Sequence, residues 1–180
     1  DRKDAKIFVF GLFKAGKTTI INCLKKTVTR NPLPTTSVDI SRILINNLST
    51  IIYDAPGQIK HRNLWKPYLK NQDGLVFVLD VAAKENYDDA WDTLKNVLSF
   101  PGTKEVPLLI ILNKIDLLDP DVDSIKEHLQ LPEVQQRPHK IFQTCGLTGK
   151  NIDDAFGWLT SIISQKIFPS PKRELGLIFS

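Results

Sequence analysis

The segment Gly11-Leu12-Phe13-Lys14-Ala15-Gly16-Lys17-Thr18 stands between an apolar run, Ile7-Phe8-Val9-Phe10, and the helix-like stretch Thr19-Ile20-Ile21-Asn22-Cys23-Leu24. Its Gly-x-x-x-x-Gly-Lys-Thr spacing is that of a P-loop. Such a loop works only where a strand ends and a helix begins, because backbone N–H groups must curl around a phosphate lying on the helix's positive end. Glycine at each end lets the main chain approach where a side chain would block it. The pattern predicts a nucleotide site in which Lys14, Ala15, Gly16, Lys17, Thr18 and Thr19 form the cradle. Lys17 is expected to reach the β- and γ-phosphates, and the Thr18 hydroxyl to ligate Mg²⁺.

Apolar, β-rich runs alternate with amphipathic stretches along the rest of the chain. Strands are expected at 7–10, 38–45, 50–53, 74–80, 107–112 and 140–144, and helices from Lys17, near 87–98, near 122–129 and over 152–167. Asn46-Asn47 joins the second and third strands, and two asparagines tolerate positive φ, so that pair reads as a hairpin turn. Short apolar strands separated by helices imply an α/β fold of the P-loop NTPase type. The expected sheet has six mostly parallel strands, one antiparallel strand from the edge hairpin, and helices on both faces. Ligands of such sheets lie at the strands' carboxyl ends. The polar motifs obey that rule: Gly11–Thr18, Asp54-Ala55-Pro56-Gly57-Gln58, Asn113-Lys114-Ile115-Asp116 and Thr144-Cys145-Gly146 each follow a predicted strand.

With 180 residues and 42% hydrophobic composition, the chain suits one globular domain over 1–167 followed by a tail over 168–180. The net charge of +4 is scattered among acids without a long basic run, which argues against a nucleic-acid partner. Two cysteines, Cys23 and Cys145, read as free thiols of a reducing compartment, so a cytoplasmic location is expected. No apolar run approaches the roughly 20 residues that span a bilayer, and no signal-peptide, myristoylation or prenylation pattern is present. The sequence opens at Asp1 and contains no Met, which leaves open a preceding segment carrying a membrane anchor.

Asp54, ending a strand beside the P-loop strand, is placed to reach Mg²⁺ directly or through water. Gly57 can offer its N–H to a γ-phosphate, and Gln58 can hold a water in line behind it. Thr35, in the Pro-rich loop with Pro34, is a candidate to complete the metal shell only when the γ-phosphate is present, ordering that loop in one nucleotide state. In Asn113-Lys114-Ile115-Asp116, the Asp116 carboxylate can accept two hydrogen bonds from guanine's N–H edge while the Lys114 stem lies on the ring. Adenine lacks those donors and would leave the carboxylate unpaired, a loss of about 1–3 kcal/mol. The N–H groups of Cys145 and Gly146 are expected to meet guanine's carbonyl oxygen.

The chain resembles the Ras-like small GTPases and, within them, the Arf/Arf-like family. The resemblance rests on Gly11-Leu12, Ala15-Gly16-Lys17-Thr18-Thr19, Pro34-Thr35, Asp54-x-x-Gly57-Gln58, Leu64-Trp65-Lys66-Pro67-Tyr68, Asn113-Lys114-x-Asp116 and Thr144-Cys145-Gly146, and extends over about 6–167. It implies a guanine-nucleotide switch using GTP, GDP and Mg²⁺, with effectors, exchange factors and GTPase-activating proteins as partners. It also implies that the hairpin at Asn46-Asn47 changes register with nucleotide state. The family's amphipathic N-terminal membrane helix has no counterpart here, since only Asp1-Arg2-Lys3-Asp4-Ala5 precedes the first strand.

Four positions depart from the family pattern. Phe13 stands where Arf-like proteins are acidic, and is expected to crowd the γ-phosphate region. Lys14 adds a charge that is expected to face solvent. Pro56 replaces a hinge glycine and fixes φ, stiffening the loop. Gly146 replaces alanine without consequence, because only its N–H contributes. Three readings follow: a slow GTPase switch with Gln58 positioning water, a GTP-binding interaction module with negligible hydrolysis because of Phe13 and Pro56, and an ATP-dependent kinase, against which Asp116 argues.

Overall fold

The computed structural model describes residues 3–26 and 37–170, the side chains at 59–61 excepted. Thr35 and its loop lie outside the described residues, as does the tail beyond Ser170.

The strands are β1 (Ala5–Gly11), β2 (Asp39–Ile45), β3 (Leu48–Asp54), β4 (Gly74–Asp80), β5 (Leu108–Asn113) and β6 (His139–Gln143), in the order β2-β3-β1-β4-β5-β6. All pairings are parallel except the β2–β3 hairpin, as the alternation of runs predicted. Asn46 and Asn47 occupy its two-residue turn with φ of 48° and 62°, the left-handed geometry that such hairpins require. The helices are α1 (Lys17–Leu24), α2 (Tyr87–Leu98), α3 (Val122–His128), α4 (Pro132–Gln135) and α5 (Ile152–Ile167). Short 3₁₀ turns occupy Ile59–Leu64, Lys66–Tyr68, Lys84–Asn86 and Pro101–Thr103.

Each central strand is apolar on both faces, because successive side chains alternate between two helical layers. Phe8 and Phe10 of β1, with Leu75 and Phe77 of β4, pack against α2 and Trp65. Ile7 and Val9, with Val76 and Val78, pack against α1 and α5. The β1 strand is thus wedged between two cores, and the loop leaving its carboxyl end starts from an immobile base.

Far from that end, the guanidinium of buried Arg137 donates to the carbonyl oxygens of Thr103 at 2.6 Å, Glu133 at 2.7 Å, Val106 at 3.1 Å and Leu98 at 3.4 Å. One cation therefore binds the end of α2, the connection to β5 and short α4 into a single corner. Burial lowers its pKa, and the ring of carbonyl dipoles offsets that desolvation.

Candidate nucleotide-binding site

The P-loop leaves the sheet while still paired with it. Gly11 lies opposite Val78 in the β1–β4 register, and a Cβ there would collide with the Val78 carbonyl oxygen. The chain then turns tightly, the Ala15 N–H donating to the Leu12 carbonyl at 3.2 Å. Gly16 enters α1 with φ of 100°, and its missing side chain makes room for the Asn113 amide. Lys14 also takes positive φ, 63°, at the crown of the loop.

Lys17 is 6% exposed, and its ammonium donates to the carbonyls of Leu12 at 2.7 Å and Gly11 at 3.2 Å. Burial lowers its pKa to about 8, with the nearby Asp54 carboxylate working in the opposite direction. Such an amine sits where the loop runs into the N-terminus of α1, and a phosphate alongside would favour its charged form and raise that pKa.

Beside it, the Thr18 hydroxyl donates to Asp54 Oδ2 at 2.6 Å. Asp54 is 3% exposed, and its other oxygen, Oδ1, is buried with no hydrogen-bond partner. Burial raises its pKa, opposed by the Thr18 hydrogen bond and the Lys17 charge. An orphaned carboxylate oxygen next to a threonine hydroxyl is the donor set of a hard cation, so these residues fit Mg²⁺. No cluster of three or more His, Cys, Asp or Glu competes with it among the described residues.

The Asp54–Gln58 segment lies over the P-loop. A Cβ at Gly57 would come within 2.5 Å of the Phe13 nitrogen and 2.7 Å of both the Leu12 carbonyl carbon and Lys17 Nζ. Gln58, half-buried, opens the 3₁₀ turn that follows. Phe13 is 39% exposed with the Lys14 ammonium 5.3 Å from its ring centroid, so both side chains lie at the outer surface of the loop.

Asn113 is 1% exposed and ties three segments together. Its Nδ2 donates to the Ala15 carbonyl at 3.0 Å, while its Oδ1 accepts from Thr144 Oγ1 and the Gly146 N–H, each at 3.0 Å. Lys114, with φ of 66°, donates to the Lys14 carbonyl at 2.6 Å and pairs with Asp80 at 2.9 Å. Asp116 is exposed in the turn after β5. The methyl group of Thr19 lies beside Gly146, 3.4 Å from where a Cβ would stand.

The N–H groups of the fourth motif have partners that its sequence does not announce. Cys145 is 3% exposed with its N–H donating to the Lys150 carbonyl at 3.3 Å, and the Gly146 N–H is held by Asn113. Both donors are engaged within the protein, so a guanine oxygen must share or displace a partner to use either. An isolated bridge between Cys145 and Lys150 closes this loop, a tertiary feature with no local sequence signal.

Arg62, which no motif marks, and Trp65, legible in the sequence only as part of the Leu64–Tyr68 stretch, also belong to this region. Arg62 approaches the Gly57 carbonyl through Nε at 3.4 Å and donates to Thr93 Oγ1 at 3.1 Å. The Trp65 indole N–H donates to the Pro56 carbonyl at 3.0 Å.

Among solved structures, the chain is similar to the Arl6 BBS3 small GTPase from Trypanosoma brucei, determined with the bound nucleotide analogue GppNp. The identity is 24%, with a TM-score of 0.79 over 91% of this chain and 99% of that one, which establishes the shared fold. The sequence profile of the ADP-ribosylation factor family matches residues 1–163. With a P-loop, an acidic strand end and an Asn-Lys-x-Asp turn converging at the carboxyl ends of neighbouring strands, the chain belongs to the ADP-ribosylation factor family of GTP-binding, GTP-hydrolysing small GTPases.

Proposed function

We propose that this GTPase is a Mg²⁺-dependent molecular switch that hydrolyses GTP slowly on its own and signals through the segments around Thr35 and Gln58. The observation that carries the reading is the seating of Gly57 against Phe13, Leu12 and Lys17 Nζ, directly above the phosphate cradle. A segment in that position reports whether a γ-phosphate is present. Lys14 through Thr19 hold the phosphates, and Thr18, Asp54 and Thr35 hold Mg²⁺. When bound, that ion neutralises charge on the phosphate oxygens. Lys114 lies along the base and Asp116 accepts its N–H edge. Asn113 keeps the P-loop and the Thr144–Gly146 turn at fixed separation, and Gly146 shares its N–H with the base. Gln58 orients the attacking water. Intrinsic turnover at such sites is slow, and an arginine from an activating protein typically adds about 10³–10⁵-fold.

No helix among the described residues is long and apolar enough to cross a membrane. The switch reading places the GTPase domain over 1–167 in the cytoplasm, with effectors and exchange and activating factors as partners. Membrane contact of such a switch is peripheral.

Single-turnover hydrolysis of GTP by the wild-type protein and Gln58→Leu, with ATP as control nucleotide, tests this reading. Slow GTP-selective turnover that falls at least tenfold in the variant supports it. Tight GTP binding with turnover indifferent to Gln58 favours instead a binding module with negligible hydrolysis, the reading motivated by Phe13, whose ring lies at the outer surface of the loop, and by Pro56, with its fixed φ and anchored carbonyl.

A further inference from the structure

Trp65 lies nine residues beyond Pro56 and reaches back to it. Its side chain is 4% exposed, set edge-on to Phe8 at 6.0 Å and to Phe10 at 6.1 Å between ring centroids. Those phenylalanines belong to the strand that carries the P-loop. A buried indole N–H needs an acceptor, and here it takes the Pro56 carbonyl at 3.0 Å.

That hydrogen bond acts on more than one atom. The Pro56 carbonyl and the Gly57 N–H belong to one planar peptide, and in a trans peptide they point in opposite directions; the described chain contains no cis bonds. Holding the oxygen on Trp65 therefore sets the direction of the Gly57 N–H, away from the aromatic core. The next peptide is held more lightly, its Gly57 carbonyl lying 3.4 Å from Arg62 Nε. Arg62 is itself fixed by Thr93 and by Asp89, whose oxygens lie 3.4 and 3.5 Å away on α2. Both peptides flanking Gly57 are thus gripped by side chains rooted in the core and in α2, while its Cα rests on the P-loop.

We propose that Trp65, seconded by Arg62, is a positioning residue that aims the Gly57 N–H at the γ-phosphate and so sets the preference of the site for GTP over GDP. This rests on the switch reading above. A donor aimed before the ligand arrives costs no reorganisation when it binds, whereas a peptide free to rotate loses that advantage. GDP lacks the γ-phosphate and gains nothing from the aim.

The test is Trp65→Phe, which removes the N–H and keeps an aromatic ring in the core. Affinities for GDP and for a non-hydrolysable GTP analogue are measured beside wild type, with the thermal midpoint of the GDP-bound form as a check on folding. The expected result is a GDP affinity within about twofold of wild type and a GTP-analogue affinity reduced about tenfold. Equal losses for both nucleotides, or an unchanged ratio, overturn the proposal and leave Trp65 a packing residue. If Trp65→Phe does not fold, Arg62→Lys, which keeps the charge but shortens the reach to Gly57, is expected to shift the same ratio in the same direction by about threefold. An unchanged ratio there overturns the proposal equally. A wild-type protein that binds neither nucleotide strikes at the switch reading itself, a different outcome from either.

Discussion

Asn113 Nδ2 donates to the Ala15 carbonyl at 3.0 Å, so the end of β5 holds the crown of a loop 98 positions earlier in the chain. The same side chain accepts from Thr144 and Gly146. Asn113→Ala would orphan three buried or half-buried groups at about 1–3 kcal/mol each. It is expected to lower the thermal midpoint and to speed GDP dissociation at least tenfold, read with a fluorescent nucleotide. Dissociation at the wild-type rate would remove Asn113 as the strut of the site.

Thr18→Asn exchanges the short hydroxyl that meets Asp54 Oδ2 at 2.6 Å for a longer amide. An amide oxygen there would push the carboxylate out of the place from which it is proposed to meet Mg²⁺. GTP affinity should fall more than GDP affinity, and the response of both to added Mg²⁺ should flatten. Equal affinities with unaltered Mg²⁺ dependence would contradict the metal assignment of Thr18 and Asp54.

The buried ammonium of Lys17 gives the site a pH signature. Its pKa is about 8 without ligand, lowered chiefly by burial, and a phosphate alongside favours the charged form and raises it. Below about pH 8 the amine is protonated in both states, and affinity is flat. Above it, binding must take up a proton, so affinity declines by up to tenfold per pH unit until the pKa of the bound state is reached. Calorimetry at pH 8.5 in two buffers of different ionisation enthalpy should show a net uptake of up to about three-quarters of a proton. No uptake, with constant affinity from pH 7 to 9, would mean that phosphate does not reach the amine.

Asp116→Asn exchanges an acceptor-only carboxylate for an amide that both donates and accepts. Preference should move from GTP towards xanthosine triphosphate, whose extra carbonyl takes the new donor. Competition binding with the two nucleotides reads the ratio directly, and an unmoved ratio takes Asp116 out of the base pocket.

Much of this architecture is written locally. Apolar runs bounded by turns located all six strands to within a residue or two at most ends, because strands buried on both faces need continuous apolar sequence. Asn46-Asn47 announced its turn by the left-handed tolerance of asparagine. Tyr87–Leu98 and Ile152–Ile167 carry a helical period long enough to read. Pro132–Gln135 does not, since four residues cannot display a period of 3.6. Arg137 and Trp65 were illegible as anchors for another reason: each acts on carbonyl oxygens, which every residue possesses, so the target leaves no trace in the sequence. The engagement of the Cys145 N–H by the Lys150 carbonyl escaped for the same reason. Asp54 could be singled out as an acidic strand end, but only the three-dimensional surroundings show that Oδ1 is left without a partner.

The collision that a Cβ at Gly11 would make with the Val78 carbonyl oxygen has a thermodynamic consequence. Because Gly11 is still a rung of the β1–β4 ladder, the root of the phosphate cradle melts only with the central sheet. The conformational entropy of shaping that root is surrendered when the protein folds, not when the nucleotide docks. Ligand-free protein should accordingly keep the amides of Phe8, Val9 and Phe10 protected from hydrogen exchange right up to the start of the cradle, whereas exchange at Gly57, held by side chains instead of a ladder, should be the part that feels which nucleotide is bound.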